Sequence, residues 1–84
     1  SEKMGFESHK IVKEYVAELT TITALKEDLV TQLQNVRERF SRAESDDQIR
    51  FLTSTAKDLK KQIEALELKG ARYMRKIDEL NGVR

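Results

Sequence analysis

The chain has no cysteine and no proline, one histidine, and only three glycines in 84 residues. Without cysteine there are no disulfides and no thiolate metal sites. A reducing, intracellular and cytoplasmic setting is compatible with that composition and is the expected location. Charge of one sign is also missing. Sixteen basic and 15 acidic residues leave a net charge of +1, so no bulk field attracts nucleic acid or an anionic membrane. Apolar residues come in short runs such as Ile11-Val12 and Leu29-Val30, far short of a transmembrane span or the apolar core of a signal peptide.

The functional motifs that are absent narrow the field further. His9 has no ligand partner at metal-binding spacing. Gly5, Gly70 and Gly82 are isolated and form no phosphate-binding loop. The hydroxyls of Thr20, Thr21, Thr23, Thr31, Thr53, Ser54 and Thr55 have no base in a catalytic pattern. Glu64, Glu67, Asp78 and Glu79 alternate with lysine and arginine, the signature of a solvated face. Lys57, Lys60, Lys61, Lys69, Arg72, Arg75 and Lys76 make the second half more basic, but Asp58, Glu64 and Glu67 dilute the patch. We therefore expect no catalysis, cofactor, metal, small-molecule substrate, nucleic acid or membrane insertion.

What the chain does have is 38% hydrophobic and 37% charged residues, a balance that suits long solvated helices. From Val12 the apolar residues recur at alternating steps of three and four. Val12, Leu19, Lys26, Leu33 and Phe40 occupy the heptad position a. Tyr15, Ile22, Leu29, Val36 and Ala43 occupy d. Nine of these ten are apolar, Lys26 being the exception, and such fidelity is a strong coiled-coil signal. The second half repeats it, with Ile49, Ala56, Ile63, Gly70 and Ile77 at a and Leu52, Leu59, Leu66, Tyr73 and Leu80 at d.

Between the halves the phase breaks. Position a moves from Phe40 to Ile49, nine residues rather than seven. At about 100° per residue that turns the apolar stripe by half a revolution. A two-residue offset is poorly absorbed by local over- or unwinding. Ser45 can cap a second helix, with Gln48 completing a capping box and Asp46 and Asp47 in its first turn. The stretch lacks glycine and proline, so a continuous helix of ~126 Å, dimerising as a rod, is the competing architecture.

The register that packing demands is one a short loop can close, which favours the hairpin without excluding the rod. Folding the chain about position 46 makes facing residue numbers sum to 92, so that Phe40 faces Leu52, Leu33 faces Leu59, Ile22 faces Gly70 and Val12 faces Leu80. Each such layer sets an a residue against a d residue. The expected fold is thus all-α, an antiparallel coiled-coil hairpin with helix 1 over about 7–43, a turn at about 44–48 and helix 2 over about 49–81. Two hairpins are expected to pair as a four-helix bundle. Asn81-Gly82 reads as the stop of the second helix. The chain begins without Met and is read as a single coiled-coil region cut from a larger protein.

More apolar residues are present than one seam needs. Ile11 and Leu25 at g, with Val16 and Val30 at e, line the first helix and are read as a second interface. Lys26 is read either as a register-setting polar residue or as a stem that snorkels to water. Ser41, which follows Arg37 and Arg39, and Ser45 are candidate regulatory phosphorylation sites. The pattern is similar to coiled-coil segments of cytoskeletal, motor and membrane-trafficking proteins as a class.

Function is accordingly expected to lie in association. The primary interface is assigned to Val12, Tyr15, Leu19, Ile22, Leu29, Leu33, Val36 and Phe40 against Ile49, Leu52, Leu59, Ile63, Leu66, Tyr73, Ile77 and Leu80. The expected partner is a second copy of the chain. The alternative is a recognition module whose extra apolar residues dock another protein, such as an adaptor or a small GTPase.

Overall fold

The computed structural model describes the backbone of residues 2–82 and the side chains of residues 8–82. It consists of α1 (Glu2–Ser41) and α2 (Asp46–Leu80), folded back on each other as an antiparallel hairpin. The longest dimension is 66 Å, about half what a continuous rod of this chain would span. The half-revolution in heptad phase is thus resolved by reversal of the chain.

The reversal uses neither glycine nor proline. Arg42 N–H donates to Arg39 O and Ala43 N–H to Phe40 O, both at 3.1 Å. These short-range bonds tighten the end of α1 and satisfy carbonyls that a helix end leaves open. Ser45 then takes an extended conformation (φ −130, ψ 154) and caps α2, accepting from Gln48 N–H at 3.1 Å. The Gln48 side chain reaches back and accepts from Glu44 N–H at 2.9 Å. This is a capping box shifted by one residue, since the usual return bond goes to the cap residue itself. Among the described residues, only Gly82 has a positive φ.

The element boundaries differ from those the heptads predict. The connection is the four residues 42–45, and α2 starts at Asp46 rather than near 49. The first turn of α2 is held by its cap and by Asp46 and Asp47 at the positive end of the dipole, so it needs no seam residue. At the other end α1 extends back to Glu2, through Gly5, rather than beginning near 7. Adding residues to an existing helix is cheap compared with nucleating one, so a single glycine does not stop it. The C-terminal stop is as expected: Asn81 N–H donates to Ile77 O at 3.0 Å, Gly82 N–H donates to Glu79 O at 3.2 Å, and Gly82 sits at φ 74.

The seam follows the register that sums to 92. A Cβ placed on Gly70 would lie 3.7 Å from both Leu19 Cδ2 and Ile22 Cγ2, so Ile22 does face Gly70. Leu33, Val36, Leu52 and Leu59 form the central cluster, with Leu29, Ala43, Ala56 and Ile63 packed against it. Ile22 and Ile77 are also buried, but no described residue is more than 98% sequestered. Two helices in contact along one line cannot enclose a side chain on all sides. The protein therefore has a seam and no interior.

Candidate association surface

Each side chain assigned to the primary interface can now be placed. Ile22, Leu33, Val36, Leu52, Leu59 and Ile77 are buried in the seam of the hairpin itself. Val12, Tyr15, Leu19, Leu29, Ile63, Leu66 and Tyr73 are half-buried there. Phe40, Ile49 and Leu80 are not enclosed, and Phe40 keeps 46% of its surface. These three belong to layers near the ends of the seam, with little packed beyond them, and Ala43 is too small to cover Ile49. Lys26 is half-buried in the seam and shares a groove wall with Leu66.

The second set is entirely exposed: Ile11, Val16, Leu25 and Val30 each keep more than a third of their surface. They do not form the single stripe expected of them. Heptad geometry places g and e on opposite sides of an a/d seam, so Ile11 and Leu25 lie on one flank of α1 and Val16 and Val30 on the other. The grooves of the hairpin show the same division. A shallow groove of about 340 Å³ on the first flank is lined by Leu25, Leu29, Leu66 and Ala65, with Asp28 and Gln62 at its rim. On the opposite flank a groove of about 320 Å³ runs past Thr23, Lys26, Gly70 and Met74. On α2, Phe51 and Leu68 are more exposed still, at 62% and 63%, and they stand singly.

Two features escaped the sequence reading. Tyr15 and Tyr73, expected in different layers, meet with ring centroids 5.5 Å apart and planes inclined at 51°. Lys76 Nζ lies over both rings, 5.6 Å from the centroid of Tyr15 and 6.0 Å from that of Tyr73. Tilted ring pairs and a cation over a ring face each add modest stability. The signal was present in the register: these long side chains reach one layer along the seam. The second feature is the threonines. Thr20 Oγ1 donates to Val16 O at 3.0 Å, Thr21 Oγ1 to Ala17 O at 3.2 Å and Thr31 Oγ1 to Glu27 O at 3.1 Å. Thr53 Oγ1 and Thr55 Oγ1 of α2 do the same, donating to Ile49 O at 2.7 Å and Phe51 O at 2.9 Å, so these hydroxyl hydrogens are spent inside the helices.

The remaining candidates are at the surface. His9, Ser41 and Ser45 are exposed; Ser41 Oγ donates to Glu38 O at 2.7 Å, and Ser45 Oγ is the cap of α2. Arg39, Arg42, Gln48 and Phe51 line an open depression of about 230 Å³ beside the tip. Among the described residues no cluster of histidine, cysteine or carboxylates could hold a metal ion, and no helix is long and apolar enough to cross a membrane. The fold thus defines a class, the antiparallel helical hairpin. Comparison with known protein families, with curated proteins and with solved structures gives no match.

Proposed function

We propose that this hairpin is a non-catalytic association module, one that pairs with a second copy of itself inside a larger, intracellular protein. One observation carries the reading. The hairpin's seam is complete without Ile11, Val16, Leu25 and Val30, yet all four stand exposed along α1. Exposed apolar residues on both flanks of one helix, in a hairpin with no interior, are what the further helices of a bundle would cover. Two hairpins joined through α1 would put both first helices in the middle and leave the charged α2 helices outside.

The surface area supports this. The chain exposes 6893 Å², whereas a compact monomer of 9.8 kDa exposes ~5,200 Å². Pairing that buries a standard ~800 Å² per partner removes about half of the difference.

Light scattering combined with small-angle X-ray scattering tests the reading by giving mass and length together. We expect twice the 9.8 kDa chain mass at concentrations near 1 mM. Val16→Glu with Leu25→Glu should return the mass to that of one chain while the helical circular dichroism persists. An oligomer that survives both changes would place the interface elsewhere. A wild-type chain that stays monomeric would turn the reading toward a different protein as partner.

A further inference from the structure

We propose that two copies pair antiparallel, flank to flank, through the side of the hairpin that carries Val16, Val30 and Met74, about a twofold axis that passes Thr23. This rests on the self-association reading above and specifies its flank, direction and register.

The two flanks are not equivalent. Heptad position a leans toward the e side of each helix and d toward the g side. Among the described residues, four of the buried side chains, Ile22, Val36, Leu52 and Leu59, are at d, and two, Leu33 and Ile77, are at a. The hairpin thus closes its own seam more tightly on the g side and leaves it open on the e side. Val16, Val30 and Met74 at e, with Phe40 and Ile49 at a, stand exposed on that open side. The groove of about 320 Å³ past Leu19 and Gly70 lies among them, where glycine brings no side chain to fill the seam. The helices differ in the same sense. The g positions of α1 run Ile11, Glu18, Leu25, Gln32 and Arg39, so a contact there would surround one leucine with charge. Its e positions Val16, Thr23 and Val30 follow one another without a charge. Burying them strands no ion.

Charge decides the direction. In a parallel pairing about the long axis, α1 lies on the partner's α2 at the height it keeps in its own seam, so facing numbers again sum to about 92. Glu27 then meets the partner's Glu64 and Glu67, and Arg37 meets the partner's Lys57. Like charges in opposition are unfavourable. In the antiparallel pairing each helix lies on its own copy. Setting Val16 against the partner's Val30 makes facing numbers on α1 sum to 46, with Thr23 meeting the partner's Thr23. Because facing residues within a hairpin sum to 92, those on α2 then sum to 138. Lys60 comes opposite the partner's Asp78, and Met74 lies over the partner's half-buried Ile63. No two carboxylates, and no two lysines or arginines, are set opposite each other. Lys26, at the edge of the contact, shares its groove with Glu67 of its own hairpin.

The register also overlaps the molecules fully. Thr23 lies ~30 Å along the helix from Ala43, close to the midpoint of the 66 Å hairpin. A flank 66 Å long and 18 Å wide offers roughly 1,200 Å², enough for the ~800 Å² per partner of a standard interface. Short side chains on α1 let the first helices approach to about 8–10 Å, whereas Lys60, Glu64 and Glu67 hold the second helices further apart. Ile11 and Leu25 stay outside this contact.

Single cysteines test the arrangement, because the chain has none of its own. Val16, Thr23, Leu25 and Val30 are exposed, so each variant should fold, which circular dichroism checks. At about 200 µM, above the micromolar dissociation constant expected, a short bis-maleimide linker should join Thr23→Cys chains into a dimer. Val16→Cys alone should not link, since its copy lies about 21 Å away along the axis, but Val16→Cys mixed with Val30→Cys should. By sedimentation, Val30→Glu should raise the dissociation constant about tenfold or more, and Leu25→Glu should leave it unchanged. Lys60→Glu and Asp78→Lys should each raise it several-fold, and combining them in one chain should restore it. A dimer that links at Leu25→Cys and not at Thr23→Cys overturns the flank, and one that links through Val16→Cys alone overturns the direction; both leave self-association standing. A monomeric mass for the unmodified chain at this concentration overturns the pairing and the self-association reading together.

Discussion

Gly70→Ala is the substitution whose effect follows most directly from the structure. Gly70 lies in the middle of α2, within the seam, and its φ is not positive. Nothing in its backbone conformation calls for glycine. A methyl group there would sit 3.7 Å from Leu19 Cδ2 and Ile22 Cγ2, an ordinary van der Waals separation. Replacing glycine by alanine in a helix interior contributes about 0.8–1.0 kcal/mol, largely by restricting the unfolded chain. A half-buried methyl adds part of the ~0.8 kcal/mol of a fully buried one. The sum is about 1–1.5 kcal/mol of added stability. For 84 residues the unfolding entropy is ~0.18 kcal/mol/K, so the melting midpoint should rise by about 6–8 °C. Thermal unfolding followed at 222 nm reads this directly. Self-association makes the midpoint depend on concentration, so wild type and variant should be compared at matched values, one low and one high. Gly70→Leu must displace Leu19 and Ile22 and should melt below the alanine variant. An unchanged or lowered midpoint for Gly70→Ala would refute the placement of Ile22 against Gly70, and with it the register that sums to 92.

Three further outcomes are expected. Leu59→Ala, in the central cluster with Leu33, Val36 and Leu52, should cost about 2–4 kcal/mol and leave the chain largely unfolded at 37 °C by circular dichroism; a loss under 1 kcal/mol would mean the cluster is not the stability centre. Ser45→Ala removes the acceptor for Gln48 N–H and should cost about 1 kcal/mol in urea denaturation, whereas Ser45→Asp should retain most of the stability. Arg50→Ala breaks the 2.7 Å ion pair with Asp47, whose side chains are 75% and 92% exposed, and should change stability by less than about 0.5 kcal/mol; a larger effect would mean that the pair anchors the first turn of α2.

The two helices, their facing residues and the capping serine were legible because they rest on local rules. A step of three or four residues marks one face of a helix whatever surrounds it, and Ser45 with Gln48 marks a helix start from four consecutive residues. The two-residue break in phase was equally readable, but it states only that one straight helix would carry its two apolar stripes on opposite faces, since two heptad stretches can set a against d at any offset. The fate of Phe40, Ile49 and Leu80 was not, because a heptad position states which way a side chain points and not how much lies beyond it. The pairing of Tyr15 with Tyr73 was hidden for a similar reason: a layer diagram treats each residue as a point, while tyrosine is long enough to reach the next layer. Ile11, Val16, Leu25 and Val30 were visible as an excess of apolar residues. That they lie on two flanks, beside the seam, follows from their g and e positions and does not fit the single stripe expected of them.

The amino-acid sequence by itself determined that the chain would be helical, which residues face inward on each half, and that Ser45 can cap a second helix. These follow from helical periodicity and from hydrogen bonds between near neighbours. Only the tertiary structure decided that the chain reverses at a turn without glycine or proline, through tightened bonds at Arg42 and Ala43 and an extended Ser45. It also decided which seam positions are enclosed and which remain open. Reversal and enclosure depend on residues far apart in the chain and on what each helix covers on the other, which no local pattern contains.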